Sequence, residues 1–202
     1  MNVEMYNTIV TIGVILFGLY FLYLKYYKVV KDWQRFADAN GLVVERPNPL
    51  MRPTIVGSFQ GYPFRLYAYV VNRSSGENTS SSTYTAVEIS LPSPVPDRLE
   101  LTHQGIGTYI GKLIDRQDIL LDDMEFDPKY VIRSTDESLP KSVLRGATKK
   151  KLLTLKKWAF EWDGEKAIGH RSGIEYDGET LRKIAEILSE VATQLEEIRT
   201  RS

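Results

Sequence analysis

Nineteen consecutive residues, Tyr6 to Leu24 (YNTIVTIGVILFGLYFLYL), carry no charge, and Lys25, Lys28, Lys31 and Arg35 follow at once. At 1.5 Å rise per residue, such a run covers the roughly 30 Å hydrocarbon core of a bilayer. No later stretch is comparably apolar, so the chain reads as one membrane anchor carrying a domain. A cleaved signal peptide would want a basic start and a small-x-small cleavage site. Here the start is MNVEM, with Glu4 and no Lys or Arg, and bulky Phe, Tyr and Leu fill the apolar end.

The basic residues flank only the C-terminal side of the run. The positive-inside rule then places the N-terminus outside and the domain in the cytoplasm, the expected location being the cell inner membrane with a single pass. Tyr20, Tyr23, Tyr26 and Tyr27 form an aromatic belt at the basic end, with Tyr6 at the other. Gly13 and Gly18 are five apart and make no one-sided GxxxG face for pairing of spans.

No helix breaker separates the run from KYYKVVKDWQRFADAN. Val29, Trp33, Phe36, Ala37 and Asn40 fall on one helical stripe, and Gly41 follows as a stop signal. The spacing predicts one helix from Asn7 to Asn40, about 50 Å long, whose far end docks as a stalk on the domain through Trp33 and Phe36. The expected division is an anchor and stalk over residues 1–40 and an α+β domain over 41–202.

That domain, of about 160 residues, is long enough for one core. Its first half reads as strands. GLVVER, TIVGSFQ and YPFRLYAYVV lead, the last alternating Phe64, Leu66, Ala68 and Val70 with Arg65, Tyr67, Tyr69 and Val71. NRSSGENTSSS (Asn72 to Ser82) is so poor in apolar residues that a mobile hairpin loop is expected. Its Asn72 and Asn78 match N-x-S/T acceptors, which a cytoplasmic domain would leave unmodified. TYTAVEISL returns as a strand, and PSPVPDR is expected to turn the chain into LELTH. Further on, KYVIRS is a strand, SLPKSVLRG and TKKKLLTLKKW are short helices, and AFEW-DG-EKAIGH is expected to be a hairpin turning at Asp163-Gly164. Asp177 caps a final helix. The fold class is α+β: a mostly antiparallel sheet, the anchor helix at one end and a long C-terminal helix.

The chemistry-bearing residues are sparse. Lys and Arg number 26 and so do Asp and Glu, so no global field draws nucleic acid. The chain has no cysteine, which excludes disulfides, thiolate metal sites and cysteine nucleophiles. Asp115, Asp118, Asp122, Asp123, Glu125 and Asp127 crowd one stretch without the spacing or glycine of a calcium loop, and read as a solvated surface. His103 and His170 lack a nucleophile or metal-ligand motif beside them. GIGTYIGK (Gly105 to Lys112) fits neither phosphate-loop pattern, and its glycines read as turn chemistry. No catalytic residue, cofactor or small-molecule substrate is identified, and the chain is expected not to be an enzyme.

Two segments suggest contacts. Lys149, Lys150 and Lys151, with Arg145, Lys156 and Lys157 around Leu152, Leu153 and Leu155, could meet anionic headgroups or a partner. An ordinary amphipathic helix is the plainer reading. Leu181, Ile184, Leu188, Val191, Leu195 and Ile198 make an a/d seam in the final helix, for packing on its own sheet or against a second chain. With Tyr20, Tyr23, Tyr26, Tyr27, Lys25, Lys28 and Lys31, the lysines 149–151 and Leu181, Leu188 and Leu195 are the candidate membrane or partner contacts.

LLDDMEFDPKYVIRSTDESLPKSVL (Leu120 to Leu144) and the late GIEYDGETLRKIAEILSEVATQLE resemble a loosely defined bacterial family of membrane-associated proteins of unknown function. The residues carrying the likeness are Asp122, Asp123, Glu125, Phe126, Val131, Ile132, Ser134, Asp136 and Leu144. The resemblance implies N-terminal hydrophobic helices joined to a β-rich domain, often two helices where this chain has one. It brings no activity and no catalytic residue. An anchor, a patterned domain and no assembled chemistry lead to the expectation of a non-catalytic accessory or scaffold subunit. Its partners would be membrane lipid and an integral membrane protein complex, such as a respiratory, photosynthetic or transport assembly. The alternative is a membrane-tethered sensor or ligand-binding module, with a pocket between the sheet and the C-terminal helix.

Overall fold

A computed structural model describes residues 3–45, 52–75, 78–104 and 118–201. The side chains of residues 3–7, 25, 73, 75, 78, 95, 96 and 201 lie outside the described set. Gly105 to Lys112, Asp115 and most of PNPLMRP also lie outside it, and so does the side chain of Lys25.

Helix α1 runs unbroken over Val3–Asn40. It ends as its sequence dictates. Gly41 takes φ +66°, and the Leu42 amide donates to the Ala37 carbonyl at 2.9 Å, closing the helix with a glycine C-cap. Strands β1 (Val43–Glu45), β2 (Thr54–Phe59) and β3 (Tyr62–Ser75) follow, each antiparallel to the last. Phe59 pairs with Tyr62 across a two-residue turn, and Gln60 and Gly61 both hold positive φ, as a type I′ turn demands.

Strand β4 (Asn78–His103) is the spine of the sheet. Along one side it pairs first with β3, through Ile89, and then with β5 (Tyr130–Ser134), from Leu99. Along the other it pairs with β6 (Ala159–Ser172) over most of its length. Six antiparallel strands thus make one sheet among the described residues.

Three expectations are corrected here. Asn72 to Ser82 is no loop: the ladder between β3 and β4 continues to Ser75 opposite Asn78, so the polar stretch is a two-stranded ribbon. Main-chain hydrogen bonds hold a ladder whatever the side chains. PSPVPDR does not turn the chain. Four β4 residues between Ser90 and Val95 face a single β6 residue, and three between Val95 and Leu99 face one more. The prolines fall within these bulges, where the ladder does not need their missing N–H groups. Asp163-Gly164 is likewise a bulge within a continuous β6, Gly164 taking φ +57° opposite Val95.

Short helices α2 (Leu139–Val143) and α3 (Gly146–Leu153) cover one end, and α4 (Gly178–Arg201) crosses the sheet. Phe64, Leu66, Val87, Ile89, Leu99, Leu101, Phe160 and Trp162 point from one face into the core, met by Leu181, Ile184, Leu188 and Val191 of α4. Asp177 caps α4: its carboxylate accepts the amides of Glu179 and Thr180 at 3.3 and 3.1 Å and the Thr180 hydroxyl at 2.6 Å. The Thr180 hydroxyl, chiefly, holds that carboxyl below the usual range.

Candidate functional site

Two halves of α1 have opposite surroundings. From Thr8 to Leu24 nothing among the described residues covers the helix, and Val14, Leu16, Phe17 and Leu22 are all at least 60% exposed. α1 is long and apolar enough to cross a membrane. Soluble surfaces rarely carry so large an apolar patch bare. Phe17 and Phe21 pack edge to face at 4.8 Å between ring centres, and Tyr23 stacks on Tyr27 at 6.3 Å. Tyr20, Tyr23 and Tyr27 face outward at the basic end, as do Lys28 and Lys31, and Tyr26 is half-buried.

From Val29 onward the same helix belongs to the core. Val29, Trp33, Phe36 and Ala37 are buried. The Trp33 indole N–H donates to the Glu175 carbonyl at 2.8 Å, and Phe36 packs on Phe64 with ring centres 6.1 Å apart. The stripe read from the sequence is the stalk's seat.

Beside that seat lies an open groove of about 730 Å³ between the outer face of the stalk and the start of α4. Lys28, Asp32, Arg35 and Phe36 form one wall, and Tyr176, Asp177, Glu179 and Arg182 the other. Lys28 Nζ sits 5.1 Å from the centre of the Tyr176 ring, Asp32 pairs with Arg35 at 3.4 Å, and Arg182 pairs with Glu186 at 3.5 Å. The sequence reading missed this groove. Its one signal was that Lys28, Asp32 and Arg35 step by four and three, hence along one face of a helix.

The other candidate contacts divide. Lys149 is taken up by Asp123, and Lys151 by Glu190 and by Glu186 at 3.4 Å, whereas Lys150 remains exposed. The hydrogen bond to Glu190 is the main cause that raises the Lys151 ammonium above its usual value. The basic helix therefore faces its own chain with two of its three central lysines. Leu181, Leu188 and Leu195 are buried against the sheet, so they offer no seam to a second chain. The region between sheet and α4, where a ligand pocket was anticipated, is filled by these side chains.

The acidic stretch serves turn geometry. Asp123 accepts the amides of Glu125 and Phe126, and Asp127 those of Leu121 and Asp123. Asp136 likewise accepts the Ser138 amide, while Phe126 stacks on Tyr130 at 4.8 Å. The residues that carried the family likeness are thus mainly turn and core positions.

On the sheet face opposite the core, Tyr67, Tyr69 and Tyr84 run in line, with ring centres 6.0 and 5.4 Å apart. The Tyr67 hydroxyl donates to Glu88 at 3.1 Å, and Lys166 pairs with the same carboxylate at 2.9 Å. Burial, followed by the Glu88 charge, pushes the Tyr67 hydroxyl up to about 12. His170 lies 3.3 Å from the Tyr69 hydroxyl, and burial holds its imidazole down to about 4. His103 sits elsewhere, its Nδ1 2.8 Å from the Gln104 carbonyl and its ring against Tyr130. The two histidines share no site.

No family model matches the chain, and no curated protein matches it. Among solved structures, the crystal structure of the mycobacterial trehalose monomycolate transport factor A, TtfA, is similar over 79% of this chain and 94% of that one, at 12% identity and a TM-score of 0.49.

Proposed function

We propose that the protein is a non-catalytic, single-pass accessory or scaffold subunit of a larger membrane protein complex, with its N-terminus outside and its domain in the cytoplasm. The observation that carries this reading is the division of α1. One unbroken helix is bare over its apolar half and locked into the domain core over the other. A tether would need only a flexible linker. A helix continuous through Trp33 and Phe36 instead fixes the domain's position relative to the membrane, which is what a subunit placed within an assembly requires. The lysines on the domain side of the span support the orientation, and a respiratory, photosynthetic or transport assembly is the class of partner. A tethered ligand-binding module is the second reading, and the groove at the stalk is what favours it.

The test is native electrophoresis of mildly solubilised membranes. The full chain, 23.1 kDa, should migrate within a much larger assembly. Deleting Met1 to Leu24 should leave a folded, soluble domain that runs as a monomer. Trp33→Ala with Phe36→Ala should keep the chain in the assembly but loosen the domain, each lost ring costing about 3–5 kcal/mol. If the truncated domain still migrates with the assembly, the anchor is not the main contact and the proposal fails.

A further inference from the structure

The ribbon made by the end of β3 and the start of β4 points toward the apolar half of α1. Phe36 packs on Phe64. One turn nearer the apolar run, the Trp33 indole donates to the Glu175 carbonyl, and the Glu175 amide donates to the Thr85 hydroxyl. Thr85 lies opposite Ala68, four residues beyond Phe64 on β3. Moving along α1 toward Leu24 therefore matches moving along β3 toward Ser75.

Lengths decide how far the ribbon reaches. Val29 is buried in the domain core five residues past Leu24, about 7–8 Å beyond the apolar run. The headgroup layer on each side of a bilayer is about 5–7 Å deep. The domain therefore begins at the outer edge of that layer, given the membrane reading above on which this inference rests. Trp33 lies about 13 Å past Leu24 along α1. Ser74 is six residues, about 20 Å of strand, beyond Ala68. At any inclination to α1 below about 60°, the ribbon end reaches past Val29 to headgroup depth.

The side chains there suit that layer and not the hydrocarbon beneath it. Asn72, Ser74, Thr79, Ser80 and Ser81 are exposed, polar and uncharged. Past Leu66 on β3 and before Thr83 on β4, no third strand pairs with the ribbon among the described residues. Its edges thus keep main-chain N–H groups to donate. Hydroxyls, amides and these N–H groups can bond to phosphate and ester oxygens, whereas hydrocarbon would leave them unpaired at a cost.

We propose that the end of the β3–β4 ribbon rests in the lipid headgroup layer beside α1, as a second point at which the domain holds the bilayer. Attachment through α1 alone fixes the domain's distance from the membrane. The ribbon also fixes its rotation about the helix, so that one chosen side of the domain is turned to a neighbouring subunit.

The test is quenching of a fluorophore on single cysteines of the full chain. The chain is reconstituted, as the sole protein and at low density, in phosphatidylcholine vesicles carrying nitroxide on a fraction of their headgroups. Labels at Ser74→Cys and Thr79→Cys should be quenched about fivefold more than one at Ser58→Cys, exposed opposite Pro63 at the far end of β3. Quenching no stronger than at Ser58→Cys would overturn the proposal. Pyrene on Ser74→Cys should emit as a monomer, and excimer emission would put a second copy on the ribbon in place of lipid and overturn it too. Gly13→Cys, in the apolar run with open space around it, separates the two failures. With the nitroxide moved to the acyl chains, its label should be quenched. If it is not, the membrane reading fails and this inference with it. If it is, while the ribbon labels are not quenched from the headgroups, only this inference fails.

Discussion

His170 shows what one burial does to one residue. It ends a segment expected to be a hairpin, but β6 passes straight through it, and its ring lies against Tyr69 on a sheet face crowded with tyrosines. With no acidic partner among the described residues to favour the imidazolium, burial keeps the folded-state value near 4 against an ordinary 6.5. The unfolded chain therefore takes up a proton first as pH falls. Stability from this group is fully present above 6.5, is lost between 6.5 and 4, and changes no further below that. The loss amounts to at most about 3 kcal/mol. Chemical melts of wild type and His170→Gln across pH 7 to 4 isolate it from the carboxylates, which titrate in both. The wild type should lose more stability on acidification than the variant, and parallel curves would refute the assignment. Trp33, by contrast, was legible from the sequence alone. An indole on a helical stripe of apolar residues, just past a long apolar run, has few places to go but a core. Its bond to the Glu175 carbonyl, 142 positions away, was not legible, because nothing local encodes it.

At the scale of elements, the helices were read well and the strands were read in the right places but with the wrong ends. Helical periodicity and caps are local, so Asn40-Gly41 and Asp177 marked their boundaries in the sequence. Strand ends depend on partners. The serine-rich ribbon pairs because its two arms face each other, and the prolines after Leu91 ride in bulges against a shorter β6. Neither fact shows in either segment alone. Gly169 belongs to the same class. A Cβ there would lie 2.9 Å from the Ile184 methyl of α4 and 3.1 Å from the Phe160 ring, so the helix crosses β6 where only a hydrogen fits. Gly169→Ala should cost about 1–3 kcal/mol through overpacking, read by urea melts followed through tryptophan fluorescence. A neutral effect would mean that α4 does not approach the sheet this closely. The groove was missed for the same reason as the strand ends: its walls come from residues 28–40 and 176–182, and only the fold makes them neighbours.

For the whole molecule, the division between a bare apolar helix and a domain rigidly joined to it was the most legible feature, since both halves of α1 announce their surroundings through hydrophobic pattern and charge. The sequence also implied an orientation, through lysines on one side of the apolar run, and that orientation underlies both the proposed partner and the proposed placement of the domain in the cytoplasm. The absence of cysteine makes it directly measurable. Asn2→Cys reports on the N-terminus, and Ser80→Cys, on the exposed ribbon, reports on the domain. Intact cells are treated with a membrane-impermeant thiol reagent before and after permeabilisation. The account predicts that Asn2→Cys is labelled in intact cells and Ser80→Cys only once the membrane is opened. Labelling of Ser80→Cys in intact cells would contradict it.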